Sequence, residues 1–346
     1  MRRVATVALI FGFCCFTAMS PACSNADFTG EDDASTQDGN SDGPDAPSSD
    51  ASQGGDDGGI TPCGATPAPS ELVVDTTTSP DQITTDDVYV YWASSTGSAI
   101  ERGRLGTVPA AIEPVAIRPS TVTAIGVSGG YLCWVDVNGT VLECAATSAI
   151  SGSGLTDAGI TEYSQQIGVL LAREADFLYT RTSLYLLGPP SANYLLEYFP
   201  PRLMASFGAQ IVFVGSTDAG AESFYQILDS PGDQPLGAPF YVDPGYPSAL
   251  ATDGADVIFT HVADQAVYRL PTDGGPPIAI ASAQPALGKV SINGGNVYFI
   301  TGNGIMRAAK DGSCPTTISV DPTTSFVISG EYVYFASLGK IRRARR

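Results

Sequence analysis

Residues able to carry acid–base or metal chemistry are scarce in this chain of 346 residues, which contains a single histidine, His261. One imidazole cannot form a multi-histidine metal site, and a catalytic triad would have to be built on His261 alone. As a general base it would need a nucleophile and an orienting carboxylate, and Asp264 is the nearest acidic residue along the chain. A lone histidine after a strand is more often a solvated turn residue. We therefore predict no catalytic residue, no metal and no cofactor.

Polar residues in equivalent turns offer binding chemistry instead. Each follows a repeated strand, as His261 does, and the set comprises Asp136, Arg181, Asp218 and Asn303. If the strands form a ring, these side chains and His261 lie on one rim, where they can contact a protein, peptide or glycan ligand. The alternative is that these residues only form turns.

The charge of the chain argues against one class of partner. The sequence contains 17 basic and 36 acidic residues, which gives a formal net charge of −19. A surface this acidic repels phosphate backbones, so we predict no nucleic-acid binding.

The first 22 residues have the pattern of an export signal. A basic start, Met1-Arg2-Arg3, precedes an apolar run from Val4 to Met19, which is shorter than the roughly 20 residues that span a bilayer. The following segment, Ser20-Pro21-Ala22-Cys23, resembles a bacterial lipobox, although Ser20 stands where that motif prefers leucine. The resemblance implies a lipid anchor on Cys23. The alternative is cleavage after Ala22 by ordinary signal peptidase.

Residues 23–62 form a predicted tether. The segment is rich in Asp, Ser and Gly, contains ten acidic residues and has no Lys or Arg. A segment of this composition has too little apolar surface to offset its loss of conformational entropy, so we predict that it is disordered. Ser24 gives no signal for retention in the inner membrane, which favours the outer membrane or the cell surface, with the periplasmic face as an alternative.

The cysteines indicate disulfides in the rest of the chain. Cys14 and Cys15 leave with the signal and Cys23 is the predicted lipid site, so four cysteines remain. Asn138-Gly139 predicts a two-residue hairpin that places Cys133 opposite Cys144, with a Cα separation of about 4.5–5.5 Å. Cys63 and Cys314 then pair by elimination. The alternative is four buried free thiols.

Residues 63–346 contain a repeated four-residue segment with an aromatic residue at its fourth position. The seven copies are Tyr89–Trp92, Tyr131–Trp134, Asp176–Tyr179, Gln210–Phe213, Asp256–Phe259, Asn296–Phe299 and Tyr332–Phe335. The aromatic residues are separated by 42, 45, 34, 46, 40 and 36 residues. A period of about 40 residues is typical of four-stranded propeller blades.

We therefore predict an all-β fold, a seven-bladed β-propeller. The repeated strands are apolar on both faces, which is typical of strands covered on both sides, and no segment has a convincing helical period. A six-bladed ring is the alternative, in which the irregular third copy is degenerate. In the fifth copy the predicted strands are Ala249–Thr252, Val257–Thr260, Ala266–Leu270 and Ile278–Ala281.

The two ends of the repeated region predict how the ring closes. The last copy has only three strands before the chain stops at Arg346, and Leu72-Val73-Val74 is an extra strand before the first copy. Adding this strand to the last blade would complete four strands and cover the open edge.

The copies also resemble a known group of propellers. The segments that carry the resemblance are Tyr91-Trp92 with Ala99–Arg102, Phe299 with Gly304–Ser313, and Phe335 with Lys340–Ala344. Residues 70–346 resemble the YWTD, TolB and NHL types of secreted propeller, which implies binding more often than catalysis. The chain departs from the YWTD group in blade number.

Together these features predict a cell-envelope lipoprotein that displays a propeller as a binding or scaffolding module. We expect a monomer that contacts the membrane through its acyl anchor only. A hydrolase or lyase on the propeller rim and an assembly partner in the outer membrane are the alternatives.

Overall fold

A computed structural model gives the fold of most of the repeated region. It describes residues 63, 66–76, 79–94, 99–117, 121–136, 141–151, 153–155, 160–164, 170–172, 177–180, 184–188, 191–196, 201–216, 222–228, 238–243 and 245–346. The predicted signal, the lipid site Cys23 and the tether lie outside the described residues.

The described strands form seven four-stranded antiparallel sheets. The first strand among the described residues is β1 (Glu71–Asp75). Sheet 1 contains β2 (Gln82–Thr85), β3 (Tyr89–Ala93), β4 (Ala99–Arg104) and β5 (Glu113–Ile117). Sheet 2 contains β6 (Val122–Ser128), β7 (Tyr131–Asp136), β8 (Val141–Ala146) and β9 (Thr161–Ser164). Sheet 3 contains β10 (Leu170–Ala172), β11 (Phe177–Thr180), β12 (Leu184–Gly188) and β13 (Ser191–Leu196).

The remaining sheets follow the same order along the chain. Sheet 4 contains β14 (Leu203–Phe207), β15 (Gln210–Ser216), β16 (Glu222–Leu228) and β17 (Tyr241–Asp243). Sheet 5 contains β18 (Pro247–Thr252), β19 (Asp256–His261), β20 (Ala266–Pro271) and β21 (Ile278–Ala281). Sheet 6 contains β22 (Val290–Asn293), β23 (Asn296–Thr301), β24 (Gly304–Ala309) and β25 (Thr316–Ser319). Sheet 7 contains β26 (Ser325–Ser329), β27 (Tyr332–Ser337), β28 (Lys340–Arg345) and the early strand β1.

Each copy of the sequence repeat supplies the second strand of one sheet, as the periodicity predicted. In sheet 5 the observed strands begin or end within two residues of the predicted bounds. The third copy, which the sequence marked as irregular, lies in the four-stranded sheet 3. Among the described residues the helical structure is one 3₁₀ turn, Thr147–Ala149. No helix in the described part of the chain is long and apolar enough to cross a membrane.

Neighbouring sheets contact one another through their first strands. The contacts join β26 to β2, β2 to β6, β6 to β10, β14 to β18, and β18 to β22, and β25 contacts β28. The order of these contacts follows the order of the sheets along the chain. This arrangement, with the meander in every sheet, is that of an all-β propeller.

Buried side chains fill the spaces between consecutive sheets. The aromatic residue at the end of the repeat is at most 2% exposed in six copies, as Trp92, Trp134, Phe213, Phe259, Phe299 and Phe335. The indole N–H of each tryptophan donates to a glutamate on the next strand, Trp92 to Glu101 and Trp134 to Glu143. A buried indole requires such a partner, so the Trp–Glu pairs let these large side chains lie between sheets.

The strand that closes sheet 7 comes from the amino-terminal side, as predicted. β1 pairs antiparallel with β28, and Val73 and Val74 of β1 are each 1% exposed. The basic side chains of β28 meet acidic residues of other segments. These ion pairs are Lys340 with Asp75, Arg342 with Asp321, and Arg343 with Glu71.

Both predicted disulfides are confirmed. Cys133 and Cys144 are register partners on β7 and β8 with a Cα separation of 4.1 Å, slightly shorter than predicted. Cys63 is bonded to Cys314, with a Cα separation of 5.1 Å. The second bond links the segment before β1 to the loop before β25, next to sheet 7. It therefore reinforces the closure covalently.

The packing of β1 makes a stability prediction. Val74→Ala removes two buried methyl groups opposite Ile341, so we expect the free energy of unfolding to fall by about 1–3 kcal/mol. The matched control is Val320→Ala, because Val320 is 71% exposed and should change stability little. Urea denaturation followed by tryptophan fluorescence measures both. Equal stability of the two variants would show that β1 does not belong to the core.

Candidate functional site

One end of the sheets carries those predicted binding residues that the structure describes. In a four-stranded meander, the turn between the second and third strands lies at the same end of the sheet as the connection to the next sheet. We call this end of the sheets the rim. His261 ends the second strand of sheet 5, and Asn303 is exposed in the turn between β23 and β24 of sheet 6.

The structure locates some of the other predicted rim residues. Asp136 is the last residue of β7, at the rim end of sheet 2, and its side chain lies outside the described part. Arg181 and Asp218 lie outside the described residues. Of the two predicted rim residues whose side chains the structure describes, His261 lines a cavity and Asn303 is exposed, and the grouping of all five in one site stays a prediction.

The interpretation of His261 as a solvated turn residue is wrong. His261 is the last residue of β19, where it pairs with Pro247 on one side and Ala266 on the other, and it is 6% exposed. The strand continues one residue beyond the predicted end, which brings the imidazole under the connection between β17 and β18. A Cβ built on Gly245 in that connection would lie 1.6 Å from His261 Nε2. Only glycine therefore allows the backbone to approach the ring so closely.

His261 lines a cavity of about 390 Å³ between sheets 4 and 5. The lining combines carboxylates, an imidazole and aromatic rings, and its members are Tyr241, Asp243, Gly245, Phe259, His261, Ala263, Asp264, Tyr268 and Pro277. Volumes of this order are typical of small-ligand pockets.

The imidazole lies between two carboxylates. His261 Nδ1 is 3.0 Å from Asp264 Oδ2, and the backbone N–H of Asp264 donates to Nδ1 at 3.3 Å when Nδ1 carries no proton. His261 Nε2 is 3.8 Å from Asp243 Oδ1, which itself accepts a hydrogen bond from the backbone N–H of Gly245 at 2.9 Å. The turn that contains Asp264 and the connection that contains Gly245 thus fix the ring from both sides.

Two buried polar atoms of the cavity lack a hydrogen-bond partner among the described residues. They are Asp243 Oδ2 and His261 Nε2. The Asp243 side chain is 7% exposed and the His261 side chain 8% exposed. A buried polar atom without a partner costs free energy, and a bound group or a water molecule can supply the missing bond. The site is therefore polar at its base and incomplete without a further group.

Aromatic residues form the walls. The hydroxyl of Tyr268 donates to Asp264 Oδ2 at 3.1 Å, and its ring lies against the imidazole in a T-shaped arrangement with centroids 6.3 Å apart. Burial raises the pKa of the Tyr241 hydroxyl, and the negative charges of Asp243 and Asp264 raise it further. Burial also raises the pKa of the Tyr268 hydroxyl, and its hydrogen bond to Asp264 raises this pKa further. Both shifts follow first from burial and then from the negative charge of the nearby carboxylates.

The site does not have the ligand set of a metal centre. No group of three or more His, Cys, Asp or Glu side chains within the described ranges is arranged to hold a metal ion. What the cavity offers is hydrogen-bond acceptors, negative charge and aromatic surface.

Four residues of the site, Tyr241, Asp243, Gly245 and Tyr268, were not found from the sequence. The rim candidates were sought only in the turns after the repeated strands. The connection from the fourth strand to the next sheet reaches the same rim, and here it reads Asp243-Pro244-Gly245. The acidic residue Asp243, two positions before Gly245 in that connection, was the sequence feature that could have identified this part of the site.

Comparisons with known proteins identify the fold. No family model and no curated protein matches the chain. Among solved structures, the WD40 β-propeller domain of Doa1 matches 79% of this chain and 95% of that chain, with a TM-score of 0.61 and 9% identity. A chain of the mitotic checkpoint complex matches 81% of this chain and 94% of its own, with a TM-score of 0.58 and 11% identity. YCF48 bound to D1 peptide matches 82% and 97%, with a TM-score of 0.56 and 9% identity.

These likenesses establish a β-propeller similar to the WD40 type. At such low sequence identity they show the fold alone. The resemblance to YWTD, TolB and NHL propellers stays a sequence-based prediction.

The close contact at Gly245 predicts the effect of one substitution. Gly245→Ala should force the imidazole of His261 out of its position, since the new Cβ would overlap Nε2, and lower the free energy of unfolding by about 1–3 kcal/mol. Gly302→Ala is the control, because its Cβ would meet its nearest neighbour at 3.4 Å. Urea denaturation compares the two variants. If Gly245→Ala is as stable as Gly302→Ala, the packing of Gly245 on His261 is not as described.

Proposed function

We propose that this protein is an exported lipoprotein whose propeller binds a protein or peptide partner at the rim. The observation that carries the proposal is the His261 cavity, which presents unpartnered polar atoms and aromatic walls at the rim. A rigid ring that supports a binding site on its connecting loops is a common way to separate recognition from stability. The structural neighbours include YCF48 bound to D1 peptide, which supports a peptide partner by analogy of fold only.

The proposed organisation follows the sequence. Residues 1–22 act as the signal peptide, residues 23–62 as an acidic tether anchored through Cys23, and residues 63–346 as the propeller. The anchor places the chain at the outer membrane or cell surface, and the propeller itself is monomeric. Support comes from the two disulfides, because such bonds persist in proteins exported to oxidising compartments.

We also propose that the seven sheets are seven blades of one closed ring. The sheets are consecutive along the chain, and contacts join sheet 4 through sheets 5, 6, 7, 1 and 2 to sheet 3. The remaining junction is the one between sheets 3 and 4. Closing it gives every sheet two neighbours, as the apolar faces of the repeated strands require.

One observation favours an enzymatic alternative. The imidazole of His261 has a carboxylate at Nδ1, as an oriented general base does in a catalytic triad. The hydroxyl of Ser248, however, is 2.8 Å from the hydroxyl of Thr260, so that pair is engaged with itself rather than with the imidazole. Binding therefore accounts better for the site than hydrolysis.

The anchor is tested by labelling. When the full chain is expressed in a bacterium fed with labelled palmitate, we expect the label on the protein and the protein in the membrane fraction. Cys23→Ser should abolish both. The acylated protein should contain no free thiol, because Cys63, Cys133, Cys144 and Cys314 are all in disulfides. An unlabelled protein with a free thiol at a mature amino-terminal Cys23 would favour ordinary cleavage after Ala22.

The binding function is tested with arrays of short peptides and of glycans. We use the exported Cys23→Ser chain so that the protein is soluble, and expect binding to a subset of peptides. The same preparation is assayed against ester, amide and glycoside substrates, where we expect no turnover. Turnover that His261→Ala abolishes would overturn the proposal in favour of a hydrolase or lyase, and binding to glycans without any peptide would assign a different ligand class.

A further inference from the structure

Two large apolar side chains are exposed on the rim beside the cavity. Tyr246 follows Gly245 and is 67% exposed, and Val262 follows His261 and is 49% exposed. Single exposed apolar residues are normal on a protein surface. These two flank a cavity that is already aromatic, so together they resemble the apolar surroundings of an anchor pocket in a protein interface.

The base and mouth of the cavity carry negative charge. Asp243 and Asp264 both line it, and no Lys or Arg is among the lining residues. Asp264 lies at the mouth with its side chain 53% exposed, whereas Asp243 is buried with one carboxylate oxygen unpartnered among the described residues. A cation that donates hydrogen bonds would complete the Asp243 carboxylate and offset both charges.

The walls favour the same class of ligand. Tyr241, Phe259 and Tyr268 present aromatic rings, and a cation near an aromatic face is attracted by its quadrupole. The chain as a whole carries a net charge of −19, which attracts basic partners over long distances. The cavity volume of about 390 Å³ admits one long side chain but not a strand or a helix.

We infer that the His261 cavity binds a lysine or arginine side chain of the partner protein, while apolar residues next to that side chain contact Tyr246 and Val262. This inference rests on the proposed function and specifies its ligand. The ammonium or guanidinium group passes Asp264 at the mouth of the cavity and donates to Asp243 Oδ2 at its base, and its aliphatic stem lies along the tyrosine rings. The partner segment is thus basic at one position and apolar beside it.

Matched peptide series test the inference. Short fluorescent peptides carry Lys or Arg at the centre with leucine neighbours, and the same peptides carry norleucine or Glu instead. The exported Cys23→Ser chain is titrated and fluorescence anisotropy gives the dissociation constant. We expect binding by the Lys or Arg series, at least tenfold weaker binding by norleucine, and none by Glu. Affinity should also fall as salt is raised.

Variants of the protein show whether the His261 cavity binds the basic side chain of the peptides. Asp264→Asn and Asp243→Asn should each weaken the basic peptides about tenfold and leave the norleucine series unchanged. Asp273→Asn is the matched control, since Asp273 is exposed in the turn at the opposite end of the same sheet. Tyr246→Ala should weaken peptides with leucine neighbours more than peptides with glycine neighbours. Asp264 is at the surface, so its variant keeps the test valid even if Asp243→Asn unfolds.

The outcomes separate the inference from the proposed function. Peptides that bind equally with Lys and norleucine, or that bind the Asp264→Asn variant as tightly as the wild type, leave the binding function standing and overturn the basic-residue site. If no peptide of any series binds, the proposal of a peptide partner fails and this inference fails with it.

Discussion

The fold depends on sheets whose two faces must both be covered by other sheets. The repeated strands are buried on both faces, as β19 shows with all six residues buried, so each sheet needs a neighbour on either side. A row of such sheets leaves two open ends, and a ring removes them. β1, which precedes the first sheet, joins the last sheet by pairing with β28, and this pairing is held by buried valines, two ion pairs between the strands and a nearby disulfide.

The same constraint explains why the site lies at the rim. The faces of the sheets are used for packing, so the side chains that can reach a ligand lie at the rim, near the strand ends and in the connections between strands. The His261 cavity forms where two connections meet at the boundary of sheets 4 and 5, and Gly245 permits that meeting because it has no Cβ. Stability and recognition are thus assigned to different parts of the same repeat.

The sequence predicted the fold in detail because its signals are local and repeated. Aromatic residues at the end of each repeated four-residue segment, a hairpin at Asn138-Gly139 and an extra strand before the first copy each specify short-range structure. The site was predicted only in part. His261 was singled out, but its burial depends on a connection from another sheet, and the acceptor Asp243 lies 18 residues earlier in the chain. Packing between sheets, rather than the pattern within a strand, brings these residues together.

Amide hydrogen exchange of β1 is the most direct test of the closed ring. If β1 completes sheet 7, the amides of β1 that donate to β28 should exchange as slowly as those of the buried strand β27, and only through global unfolding. Exchange of the β1 amides within seconds, while β27 stays protected, would show that the ring is not closed by this strand and would contradict the account.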